Sequence, residues 1–200
     1  MSNAKIPRRG FLGVLAVPTA LGLGPTPEAA AQSPSLRPTP SCGTEPTPHQ
    51  TEGPYFKTAS PRRASLRDPG MPGTKLVVGG RVLSTACKPI VGALIDVWHA
   101  DARGEYDNRG FTLRGHEFAD GAGRYEFETI VPGLYPGRTR HIHVKVQAPG
   151  QPVLTTQLYF PGEPQNRRDG LFEQALLLSA EDASDGKAAR FDFVLRLRSG

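Results

Sequence analysis

Alternating apolar and polar residues begin at Lys75 and recur in short runs almost to the end of the chain. The runs cover 75–84, 92–99, 124–130, 141–147, 152–160 and 189–198, each bounded by Gly, Pro or Asp and rich in β-branched or aromatic residues. Tyr125, Phe127 and Thr129 alternate with Arg124, Glu126 and Glu128, and Phe191, Phe193, Leu195 and Leu197 with Asp192, Val194, Arg196 and Arg198. A period of two marks strands with one buried face. A helical period is found only over 169–178. The pattern predicts an all-β domain, a sandwich or small barrel. One connection, 100–123, is too long for a simple turn, and connections of that length are usually functional or disordered. It carries Tyr106 shortly after the end of a predicted strand.

Within the run 141–147, His141, His143, Lys145 and Gln147 project to one side and Ile142, Val144 and Val146 to the other. Two imidazoles at i and i+2 on a stiff strand stand side by side, so they can bind one metal together. An edge strand with two solvated histidines would show the same pattern. The residues just upstream favour a site: Tyr135 lies in a Pro-Gly turn, and Arg138 stands three positions before the first histidine.

Ahead of Lys75 the texture is irregular. Thirteen of the 20 prolines lie there. Residues 1–31 read as an export signal: Lys5, Arg8 and Arg9, an apolar run over 11–24 broken by Pro18, then Ala29-Ala30-Ala31. The run is too short to span a membrane. Arg8-Arg9-Gly-Phe-Leu resembles a twin-arginine signal, which predicts a periplasmic or extracellular protein. Residues 32–74 read as a Pro-rich arm and 75–200 as the folded domain. The two cysteines, Cys42 and Cys87, would pair in an oxidising compartment and pin the arm to the body. A net charge of +5 and a pI near 9.5 invite a nucleic-acid reading. The arginines are scattered, with no basic stripe, and nucleic acid is not an expected partner.

Tyr106, Tyr135, His141 and His143 together offer two phenol oxygens and two imidazoles. That donor set suits a ferric ion, whereas thiolates would favour zinc, copper(I) or clusters. A facial-triad Fe(II) site would need a carboxylate and a catalytic zinc site a third ligand, which His49, His99 or His116 could supply.

The joint pattern has a family likeness. Trp98-His-Ala-Asp-x-x-Gly-Glu-Tyr106, Tyr135-Pro-Gly-Arg138-x-x-His141-x-His143 and Thr155-Thr-Gln157-Leu-Tyr-Phe resemble the intradiol ring-cleavage dioxygenases, nearest the protocatechuate 3,4-dioxygenase-like branch. The arm adds Thr51-Glu-Gly53-Pro54-Tyr55, and the likeness runs from about Thr47 to about Pro161.

The resemblance implies a Greek-key β-sandwich with long active-site loops and a mononuclear non-haem Fe(III). Tyr106, Tyr135, His141 and His143 would be its protein ligands. A catechol-type diol and O2 would be the substrates and a cis,cis-muconate-type diacid the product, with no nicotinamide or flavin. Tyr135 would leave the metal and help deprotonate the diol, Arg138 would stabilise developing negative charge, and Gln157 would lie near the iron. Gly53, Pro54 and Tyr55 would shape the substrate pocket. Arg114 and Arg140 are the candidates to hold a ring carboxylate. A homo-oligomer is compatible with this reading. Two other readings are an exported transthyretin-like binding module without a redox metal, and a zinc or copper enzyme using His141 and His143.

Overall fold

The computed structural model describes residues 45–198. The expected export signal, the first part of the arm and Cys42 lie outside the described residues. Among the described residues nine strands form two sheets: β1 (Lys75–Ser84), β2 (Leu94–Trp98), β3 (Arg114–Phe118), β4 (Arg124–Ile130), β5 (His141–Gln147), β6 (Leu154–Tyr159), β7 (Ser179–Ala183), β8 (Gly186–Arg190) and β9 (Phe193–Leu195). One sheet runs β3-β2-β5-β6, antiparallel throughout. The other runs β4-β1-β8-β7, with β9 pairing the far end of β1. Consecutive strands cross between the sheets, β1 to β2 and β3 to β4 to β5. The expected all-β sandwich is found.

The core lies between the sheets. Val78 and Val82 of β1, Tyr125 and Phe127 of β4, Ile95 and Val97 of β2, and Ile142, Val144 and Val146 of β5 all point into it and are buried. These are the apolar positions of the period-two pattern, and their burial supplies the main driving force for folding.

Three expectations change. The helical period over 169–178 gives no α-helix, only a short 3₁₀ turn at Gln174–Leu176, with another at Pro164–Arg167 just before the segment. Asp169 spends its carboxylate on the Leu171 N–H, and the Leu178 N–H bonds the Tyr159 carbonyl, so the segment is drawn along the sheet edge instead. The single strand expected over 189–198 is two, β8 and β9. Between them the Phe191 carbonyl turns in against Gly80, where an added Cβ would stand 1.8 Å from that oxygen. Only glycine allows this approach. Lastly, β3 lies inside the long connection, which is therefore partly a strand.

The arm is more than a linker. Its Thr47 and Gln50 N–H groups bond the carbonyls of Val194 and Thr155. Further on, Arg62 pairs with His116 of β3 and Ser65 with Glu128 of β4, so the segment stitches the edges of both sheets together. Leu66 then enters the core with no exposed surface.

Candidate active site

The outer face of the first sheet carries the site. Strand alternation puts His141 and His143 of β5, Trp98 of β2, Gln157 and Tyr159 of β6 and Arg114 of β3 on that face. The arm covers it. His141 and His143 are therefore only 4% and 3% exposed, not solvated as an edge strand would leave them. Arg114 fixes this cover from below. Its Nη1 donates to the Tyr55 carbonyl at 2.6 Å and its Nε to the Asp107 carbonyl at 3.1 Å, one residue from Tyr106. The Tyr55 and Tyr106 rings stack at 4.4 Å as a result.

The predicted ligands come together. His141 Nδ1 donates to the Thr139 carbonyl at 2.7 Å, which leaves its Nε2 as a bare acceptor. His143 Nε2 and Tyr106 Oη both stand 3.2 Å from that nitrogen. Tyr135 closes the group, its ring edge-on to those of Tyr106 at 5.9 Å and Tyr55 at 5.6 Å. Trp98 stacks on His143 at 4.9 Å and an interplanar angle of 7°, fixing the plane of that imidazole.

Burial disfavours the imidazolium, so His141 is pushed down to about 4 and His143 well below its ordinary value. Both are neutral and ligand-ready near pH 7. Burial also pushes the Tyr106 phenol up. A hydrogen bond 2.8 Å long joins Tyr55 Oη and Tyr135 Oη, and together with burial it raises Tyr55 above its ordinary value.

The residues present fit a ferric ion. One bare imidazole nitrogen, a second imidazole and a phenol crowd a single point, and a shared cation relieves that crowding. Among the described residues no three His, Cys, Asp or Glu side chains cluster for a metal, and the tyrosine oxygens complete the donor set here. Gly53 leaves room beside the histidines: a Cβ there would stand 3.2 Å from His143 Cε1, and its φ of +72° favours glycine. The alternative third nitrogens are elsewhere. His99 bonds Ala100 O and Thr129 Oγ1, His116 bonds Ser60 Oγ, and His49 is exposed.

Arg138 closes the turn that carries Tyr135, its N–H bonding the Tyr135 carbonyl at 3.0 Å. Its Nη2 donates to Gln157 Oε1 at 2.7 Å, and Gln157 Nε2 donates to the Thr51 carbonyl at 2.9 Å. Arginine, glutamine and arm are thus one network. Gly53 and Tyr55 reach the site as expected, and Pro54 between them is exposed.

Arg140 pairs with Glu163 at 2.7 Å and donates to the Pro132 carbonyl. Arg114 is buried beneath Tyr55, and its Nη2 has no hydrogen-bond partner among the described residues. Four residues of the site went unsuspected: Thr139, Asp169, Tyr159 and Arg114 in its clamping role. Only Tyr159 had a signal, since it follows Gln157 at i+2 and must share its face.

Comparison with known proteins agrees. A family model described as a dioxygenase matches residues 51–197. Catechol 1,2-dioxygenase 2 of Acinetobacter lwoffii is 35% identical over 180 residues, 76% of this chain and 66% of the relative. The protocatechuate 3,4-dioxygenase beta chain of Burkholderia cepacia is 31% identical over 63% of this chain and 65% of its own length. The chain spans between about half and two thirds of the length of the first such relatives. Among solved structures, the dioxygenase domain of a dioxygenase carbohydrate-binding protein fusion from Streptomyces sp. SirexAA-E is 58% identical. It superposes with a TM-score of 0.76 over 77% of this chain and 100% of that one. The hydroxyquinol 1,2-dioxygenase of Pseudomonas putida DLL-E4 superposes at 0.69 with 26% identity, over 78% of this chain and 68% of that one. The chain belongs to the intradiol ring-cleavage dioxygenase family.

Proposed function

We propose that this protein cleaves the ring of a catechol-type diol between its two hydroxyl-bearing carbons, using O2, at a ferric ion held by Tyr106, Tyr135, His141 and His143. The observation that carries the reading is that His143 Nε2 and Tyr106 Oη each stand 3.2 Å from His141 Nε2. The ion supplies the Lewis acidity and redox access that make a bound diolate reactive toward O2.

The chain's own groups do the rest. Tyr135 Oη, a phenolate when it holds the ion, would take a proton from a diol hydroxyl, and Tyr55 Oη, at 2.8 Å, would hold the resulting phenol by a hydrogen bond. Arg138 stabilises the charge that develops on the diolate, oriented by Gln157. Trp98, Phe56 and the arm exclude water from the imidazoles. One ring C–C bond breaks and each of its carbons gains one oxygen atom, so the diol and O2 account for every atom of a cis,cis-muconate-type diacid. With Arg140 paired to Glu163 and Arg114 buried beneath Tyr55, the substrate is read as a diol without a ring carboxylate.

Export, proposed from Arg8-Arg9 and the apolar run that follows, fits the disulfide bond at Cys87, since such bonds persist in oxidising compartments.

Isotopically heavy O2 tests the reaction. The iron-loaded protein should convert catechol faster than protocatechuate and place one heavy atom in each new carboxyl group. Label in only one carboxyl group, or none, contradicts intradiol cleavage. Arg138→Ala should keep iron and colour but lose about 10²–10³ in turnover, since a lost charge-stabilising donor costs that much.

A further inference from the structure

Asp169 lies outside the ligand set and outside every motif read from the sequence, yet two functional groups converge on it. Its carboxylate side chain is 3% exposed. Burying a carboxylate is costly unless its oxygens are bonded, and these are. Oδ1 accepts from the Leu171 N–H at 2.9 Å; Oδ2 accepts from the Thr139 N–H at 2.8 Å and from Arg138 Nε at 2.9 Å. The backbone beneath is pinned too, with the Asp169 N–H bonded to the Gln165 carbonyl and the Phe172 N–H to the Asp169 carbonyl, both at 3.0 Å. Burial would raise this carboxyl, but the Leu171 and Thr139 N–H groups and Arg138 hold it below its ordinary value. Asp169 is a fixed anionic post.

Each bond leads into the site. A guanidinium has one N–H on Nε and two on each terminal nitrogen, in a rigid plane. Asp169 takes Nε, and Gln157 takes Nη2 at 2.7 Å. Two of the three guanidinium nitrogens are thereby held, and Nη1 is left without a hydrogen-bond partner among the described residues. The second bond acts through Thr139. That residue is fully buried, its N–H goes to Asp169, its Oγ1 donates to Asn166 Oδ1 at 2.6 Å, and its carbonyl receives the His141 Nδ1–H at 2.7 Å. Locking the Thr139 peptide locks the histidine tautomer that leaves Nε2 bare.

We propose that Asp169 is the positioning residue of this site. It holds Arg138 with Nη1 reserved for the substrate's developing charge and, through the Thr139 peptide, sets the tautomer in which His141 presents Nε2 to the metal. The inference rests on the function proposed above but can be tested apart from it.

Asp169→Asn keeps the size and sets an amide N–H₂ against donors. In iron-loaded protein, kcat should fall about 10–100-fold, as for other groups that orient ligands, with KM little changed. The same change added to Arg138→Ala should cost less in kcat than it does alone, because the route through the arginine is gone and only the route through Thr139 remains. Full additivity, or wild-type kcat in Asp169→Asn, overturns the proposal.

In metal-free protein, nitrogen-15 spectra should show a single Nδ1–H tautomer at His141 that becomes a mixture in the variant; an unchanged tautomer removes the second half of the claim. If the variant does not fold, the wild-type chain still decides the first half: the Arg138 Nε–H should exchange slowly with solvent, and free exchange sinks the pairing. These metal-free readouts stand even if no diol is cleaved, so loss of the proposed function and loss of this inference are distinguishable.

Discussion

Three buried imidazoles are held neutral on or beside one strand pair, and each has its own geometric cause. His99 is 1% exposed and bonded at both nitrogens, His141 is tied to the Thr139 carbonyl, and His143 is sandwiched against Trp98. Burial pushes His99 down to about 4. Its unfolded counterpart takes up a proton near its ordinary 6.5. The unfolded chain therefore binds more protons between those two values. Stability is whole above that window and is lost as pH falls through it, by up to about 3 kcal/mol for this one group. Denaturant midpoints of the metal-free protein should drop from neutral to mildly acid pH, and drop less in His99→Gln; equal slopes would show that His99 does not carry the effect. Tyr106 answers a different question. Tyr106→Phe keeps the ring stacked on Tyr55 and should keep the fold, but it should lose most bound iron and the visible band. A variant that keeps full iron and colour removes Tyr106 from the metal.

The arm and the first sheet act as one element. The Gln157-to-Thr51 bond, the Lys145–Glu52 ion pair, Lys145 over the Phe56 ring at 4.3 Å and Arg114 on the Tyr55 carbonyl all tie them together. Cys87 is disulfide-bonded, and we infer that its partner is Cys42, the chain's only other cysteine. A loop of roughly 45 residues closed in this way stabilises by about 2–4 kcal/mol. Reduction should lower the melting temperature and weaken diol binding more than iron binding; two reactive thiols in the unreduced native protein would rule the bridge out. The strands and the ligand quartet were legible in the sequence because alternation and i, i+2 spacing are local. What depends on distant partners was not. Strand β3 shows no apolar alternation, since Arg114 is buried for its hydrogen bonds and Gly115 faces Leu66, where a Cβ would meet Leu66 Cδ2 at 2.7 Å. Asp169 lies 31 residues from Arg138 in a segment whose period suggested a helix.

At the scale of the whole molecule, a sandwich buries one face of β5 against the opposite sheet and leaves the other face for chemistry. The arm turns that second face into a dry site. The fold thus keeps two neutral imidazoles and two phenols facing one another, and the cost of burying them is offset when a cation binds. No helix among the described residues is long and apolar enough to cross a membrane. We propose that tyrosine oxygens and histidine nitrogens of this site hold one ferric ion where a diol can reach it. The most direct test is the visible spectrum of the purified protein with metal analysis, repeated after adding catechol without O2. About one iron per chain is expected, with a red tyrosinate-to-ferric charge-transfer band that shifts on adding catechol as Tyr135 gives way to the diolate. A colourless protein that holds zinc or no metal after iron loading, with no change on adding catechol, would contradict it.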